Sequence, residues 1–88
     1  MPRRQGGRVW VSEHASQRWA ARGGRGELRA WDAHRAITAA LRSGARYRHD
    51  VIIAPFDAGR AIVASPMPEG GWVVVTVLVL PSWGRRSA

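Results

Sequence analysis

The sequence predicts an α+β domain: two N-terminal helices packed on a three- to four-stranded, mainly antiparallel sheet, in the order (β)ααβββ. Three observations carry this reading. Apolar residues recur at helical spacing before Gly44 and at extended spacing after it. The extended segments are joined by short loops rich in Pro, Gly and Asp, and connections this short favour antiparallel meanders over βαβ crossovers. A chain of 88 residues has room for one small core and no second domain. The domain is expected over residues 9–83, with a flexible basic tail at 1–8 and a flexible tail at 84–88.

Val9-Trp10-Val11 reads as a short opening strand. Ser12 has the chemistry of an N-cap, and Glu13 sits in the first turn, where the helix dipole favours a negative charge. Residues 13–22 contain no breaker and form a first helix that stops at Gly23-Gly24. A second helical segment runs from about Glu27 to Ser43 and is closed by Gly44. Within it Ala33, Ile37, Ala40 and Leu41 share a face, with Leu28 and Trp31 sharing one a turn earlier. Asp32 is an alternative N-cap, splitting the segment into a turn and a shorter helix.

Strands follow over residues 46–54, 60–65 and 72–80. In the last one Val73, Val75, Val77 and Val79 point one way, and Trp72, Val74, Thr76, Leu78 and Leu80 the other. A strand apolar on both faces is a central strand buried from both sides. Two helices cover only one face, so the other is expected to meet a protein partner, a second copy, or a curled sheet and a tail. Trp19, Trp31 and Trp72 are expected in the core, while Trp10 and Trp83 either stack on bases or cover the sheet.

Composition narrows the function. The 14 basic residues, all arginine, stand against 6 acidic ones, for a net charge of +8. The codon usage of a GC-rich genome explains Arg in place of Lys, but not the excess of basic over acidic residues. That excess lies in residues 1–50, which hold 11 Arg and 4 acids. It predicts an anionic partner, of which nucleic acid is the commonest. A hydrophobic content of 45% is too high for a disordered chain. The absence of cysteine excludes disulfides, thiolate nucleophiles and cysteine-ligated zinc. The three His and six acids are scattered without ligand spacing, so neither a metal nor a cofactor is expected. The longest apolar run, Trp72 to Leu80, is too short for a membrane helix, and no apolar stretch follows the basic N-terminus as in a signal peptide. A soluble, cytoplasmic protein with no membrane partner is therefore expected. Gly23-Gly24-Arg25-Gly26 lacks the frame of a phosphate loop, and the link is too long for a helix-turn-helix.

The sharpest local signal is the spacing His14, Arg18, Arg22. Positions i, i+4 and i+8 form one stripe on the first helix. Imidazole exchanges protons near neutral pH, and guanidinium grips phosphate with two hydrogen bonds. Together they suit phosphodiester cleavage without a metal. Arginines four apart also arise by chance at this density, as solvated surface residues. His34 reads as a surface residue, and the neighbours His49 and Asp50 point to opposite sides of a strand, so they form no dyad.

The run from Val11 through His14-Ala15, Arg18 and Arg22-Gly23 resembles the opening "strand, His-Ala-x-x-Arg-x-x-x-Arg-Gly" of a family of small uncharacterised bacterial and phage domains. Those domains are similar to RelE-type toxins and to the wider barnase/EndoU/colicin/RelE group of ribonuclease toxins. Val74-Val75-Thr76-Val77 fits that family's closing strand, "Val-Val-x-Thr-Val". The stretch from Arg22 to Trp31 departs from it, being longer and richer in Arg and Gly than the usual "Arg-Gly-Ile-Ser" link. The resemblance implies a sheet that forms an RNA-binding cleft beside the first helix. It implies His14 as general acid/base and Arg18 and Arg22 on phosphate, with Thr76 completing the catalytic set. It implies Arg46, Arg48 or Arg60 as strand residues facing the cleft, and with Arg25 these are the further nucleic-acid contacts expected. Arg18 has an alternative, an ion pair with Glu13 or Asp50 that locks the helix to the sheet. Two functions are thus expected. One is a RelE-like toxin ribonuclease that attacks RNA, free or on the ribosome, through the ribose 2′-hydroxyl and is countered by an antitoxin. The other is a non-enzymatic phage or mobile-element protein that binds and inhibits a host protein or nucleoprotein complex. A homodimer through the apolar sheet face is compatible with either.

Overall fold

The first helix starts where Ser12 caps it. Ser12 is extended (φ −72°, ψ 159°), and its hydroxyl accepts from the Ala15 amide at 3.0 Å. A computed structural model describes residues 4–6, 8–44 and 50–79 of the chain. In chain order its elements are β1 (Arg4–Gly6), β2 (Val9–Val11), α1 (Glu13–Ala21), α2 (Ala30–Arg42), β3 (Ile52–Pro55), β4 (Arg60–Pro66) and β5 (Trp72–Val79). The expected α+β architecture and its element order are present. Arg4–Gly6, within the segment expected as a tail, pairs with β2 as an edge strand.

α1 ends in a Schellman motif. The Gly24 amide donates to the Trp19 carbonyl (2.8 Å) and the Gly23 amide to that of Ala20 (3.3 Å), with Gly23 at φ +80°. The chain then runs without helix to Arg29, burying Leu28 on the way. α2 therefore begins later than the sequence suggests, with Arg29 as N-cap and Asp32 inside the first turn rather than capping it. That start fixes the inward stripe as Ala30, Ala33, Ile37 and Ala40. Trp31, one residue and so about 100° round from Ala30, is turned outward and is 59% exposed. The expectation that Trp31 is a core residue is corrected, as is the inward placement of Leu41, which is 43% exposed.

The sheet has the order β1-β2-β5-β4-β3. β3, β4 and β5 form the expected antiparallel meander, and β2 closes against β5 in parallel, with Val9 opposite Trp72 and Val11 opposite Val74. β5 is thus central. Its pairing with β4 shifts at one point, where Val63 faces Thr76 but the next residue, Ala64, faces Val74. Val75 is the extra residue of a β-bulge, and a bulge resets which side chains point inward. Val74 and Val77, three residues apart, are consequently both fully buried, whereas Val79 is exposed. The simple alternation expected along this strand does not hold.

Both helices lie on one sheet face. Their buried residues share a cluster with Val9, Val11, Ile52, Ala54, Ile62, Ala64, Val74 and Val77. Each fully buried aliphatic side chain stabilises the fold by roughly 1.5–3 kcal/mol. The opposite face is apolar as well: Trp10, Val73, Val75 and Thr76 are half-buried there, and Ile53 and Leu78 are exposed. No helix among the described residues packs on it. No helix among them is long and apolar enough to cross a membrane.

Candidate nucleic-acid interface

Exposed His14 and Arg18 lie one turn apart on α1, beside the buried pair Ala15 and Trp19. Arg18 Nε donates to His14 Nε2 at 3.4 Å. In this contact Nε2 serves as the acceptor. Of the alternative partners for Arg18, Asp50 sits just before β3 at φ 64°, its carbonyl accepting from the Ser65 hydroxyl at 3.4 Å. Arg22 is the C-cap of α1 (φ −102°, ψ 24°), and Arg25 follows in the link; both are exposed. Arg18 thus meets His14 across one turn, while Arg22 and Arg25 lie exposed beyond the helix end.

What holds that end is Trp19. Its indole N–H is shared between the carbonyls of Arg25 (3.3 Å) and Gly26 (3.2 Å), fixing the link that carries Arg25. Gly24 crosses the face of the same ring so closely that a Cβ there would overlap the indole. Phe56 meets Trp19 edge-on, with centroids 5.1 Å apart. The Arg60 guanidinium carbon lies 5.1 Å from the Trp19 ring centre.

Arg60 is engaged on several sides. Nε and Nη2 donate to Asp57 Oδ2 (3.2 and 3.0 Å), and Nη1 donates to the Arg22 carbonyl at 3.2 Å. Asp57 is set for this by an Asx turn, its Oδ1 accepting from the Gly59 amide at 2.9 Å. The Arg60 side chain is only 23% exposed. The structure thus brings Arg60 to the end of the stripe as a clamp on the main chain, with its charge met by Asp57. A cation on a terminal carbonyl also suits the negative end of the α1 dipole.

The other expected residues are not gathered there. Thr76 pairs with Val63 on the sheet face away from the helices, so the sheet separates it from His14. Arg46 and Arg48, with neighbouring His49, lie outside the described residues. A groove of about 410 Å³ between α2 and β3, lined by Asp32, Arg35, Ala36, Ala39, Pro55 and Phe56, includes none of the expected site residues. Sequence reasoning missed the roles of Asp57 and Phe56, although Asp57-Ala58-Gly59 does carry a readable turn signature.

Arranged this way, the residues can do two things. Three exposed guanidiniums can bind phosphates in succession, and one imidazole beside them can accept a proton. No three His, Asp or Glu side chains converge among the described residues. Comparison with protein-family models, curated proteins and solved structures finds no match to the chain.

Proposed function

We propose that this protein binds RNA along α1 and cleaves it as a toxin-type ribonuclease without a metal, acting in the cytoplasm. The observation that carries the proposal is the exposed His14–Arg18 hydrogen bond, with Arg22 following at the helix end. The opening segment's resemblance to RelE-type toxins supports the same reading. A phosphate arriving at Arg18 draws its guanidinium from the imidazole and frees Nε2. That nitrogen takes the proton of the ribose 2′-hydroxyl as the oxygen attacks the adjacent phosphorus. A 2′,3′-cyclic phosphate forms, and the 5′-oxygen leaves on the far side, taking a proton from water. Arg18 and Arg22 stabilise the charge gathering on the phosphoryl oxygens. Thr76 has no part in this scheme.

The test is cleavage of free RNA and of ribosome-bound mRNA by the purified protein in EDTA. The wild type is expected to cut at least one, and His14→Ala to cut about 10²- to 10⁴-fold more slowly. Unchanged cleavage in the variant removes His14 from the reaction. Intact RNA in both arms rejects the enzyme reading, even where binding persists.

The apolar sheet face away from the helices favours a second reading, a non-enzymatic module that docks on a host protein. Ile53 and Leu78 are exposed there beside half-buried Trp10, Val73 and Val75. RNA-independent capture of one stoichiometric protein, abolished by Leu78→Glu, would favour it over the ribonuclease.

A further inference from the structure

The outer face of α2 carries a surface that the stripe on α1 does not use. At about 100° per residue Trp31, Arg35, Thr38 and Arg42 line up along the side opposite the buried stripe, with His34 and Leu41 on the flank. None of these six is buried. Trp31 is 59% exposed, the most exposed of the large apolar side chains described. Its ring is held from the side by His34, with centroids 5.9 Å apart and planes 72° apart. Arg35 is 82% exposed, and its contact to Asp32 is long, 3.9 Å. An exposed pair of that length contributes little and leaves the guanidinium available.

An indole in water on a helix that offers a buried stripe elsewhere calls for a partner. Three features point to its chemistry. The charged residues in line with Trp31 are both arginines, on a chain of net charge +8. The ring is 59% exposed and meets His34 at a steep angle, which leaves indole surface for a stacked base. Along the line one aromatic ring is followed by two arginines, which suits a ligand that offers a base to stack and phosphates to pair. A second copy of the chain would bring Arg35 and Arg42 against their own counterparts and is disfavoured.

We propose that the Trp31–His34–Arg35–Arg42 face of α2 is a binding site for single-stranded RNA, with an unpaired base stacked on Trp31 and phosphates on Arg35 and Arg42. This rests on the reading of the protein as RNA-binding and adds that the recognised RNA is unpaired. A duplex hides its base faces and cannot engage the indole.

The experiment measures affinity for a single-stranded RNA and for the same sequence annealed to its complement. The proteins are the wild type, Trp31→Ala, Trp31→Phe and the double variant Arg18→Gln/Arg22→Gln. Trp31→Ala is expected to weaken single-strand binding about 5- to 100-fold while changing duplex binding less than about 2-fold. Trp31→Phe is expected to restore most of the affinity. Because Trp31 is 59% exposed and outside the core cluster, the thermal midpoint of Trp31→Ala should stay near that of the wild type, which separates lost contact from lost fold. Unchanged single-strand affinity in Trp31→Ala, or equal losses on both RNAs, overturns the proposal. If the double arginine variant loses RNA while Trp31→Ala does not, the α2 site fails and the RNA reading stands. If the wild type binds no RNA, both fail. Loss of self-association in Trp31→Ala with RNA affinity intact also overturns it, by identifying a protein contact instead.

Discussion

Arg60 and Trp31 show how far single residues could be read in the sequence. The Ser12 cap and the Gly23 stop involve neighbours within five residues, and both were legible. Arg60 looked like a phosphate contact because its partners Trp19 and Arg22 lie 41 and 38 residues away in the chain. The two roles make opposite predictions for Asp57→Asn. A phosphate ligand restrained by a carboxylate would bind RNA more tightly once that charge is gone. A clamp held by Asp57 should instead loosen, lowering RNA affinity and lowering stability by about 1–2 kcal/mol. On a domain this small that is a fall of about 4–15 °C in thermal midpoint, readable by circular dichroism. Increased affinity at unchanged stability would return Arg60 to the phosphate contacts. Trp31 was misplaced for another reason. Leu28, expected to share a face with Trp31, lies outside the helix and is buried from the link, and Arg29 offers no side-chain cap to mark the later start.

At the level of elements the hydrophobic period was a sound guide to type and order. It failed where the backbone breaks its own period. The bulge at Val75 has no Gly or Pro to announce it, so strict alternation put Val75 and Val77 on one face. The two readings separate by mutation. With the bulge, Val77→Ala opens space in the core and should cost about 1–3 kcal/mol. Val75→Ala, at a half-buried position on the other face, should cost less than about 1 kcal/mol. Chemical denaturation measures both, and equal losses would contradict the assigned register. The same shift bears on function, because it turns Val77 toward the helices and Thr76 away from His14. The closing motif was legible as sequence, but the face it presents was not.

For the molecule as a whole, the charge arithmetic asked for a polyanion, and the fold sets Arg18, Arg22 and Arg25 outward at one end of α1. Three phosphate contacts on single-stranded RNA give a slope of about −2 in log affinity against log salt. Raising salt from about 50 to 200 mM should then weaken binding roughly 20-fold, as filter binding would show; a flat response would remove the arginines from the interface. The apolar character of the sheet face away from the helices was legible as an excess of apolar residues on β5. The central place of β5 has a further consequence, for synthesis. β5 follows every other described element in the chain, yet it is the strand that joins β2 to β4, and α1 packs against it. Until β5 has emerged from the ribosome, β1–β2 and β3–β4 share no strand pairing and α1 lacks the strand it packs on. Completion of the sheet has to await the emergence of β5, and pairing partners 63 residues apart, Val9 and Trp72, make that step slow. A nascent copy therefore cannot complete the sheet beneath its arginine-bearing helix before β5 emerges.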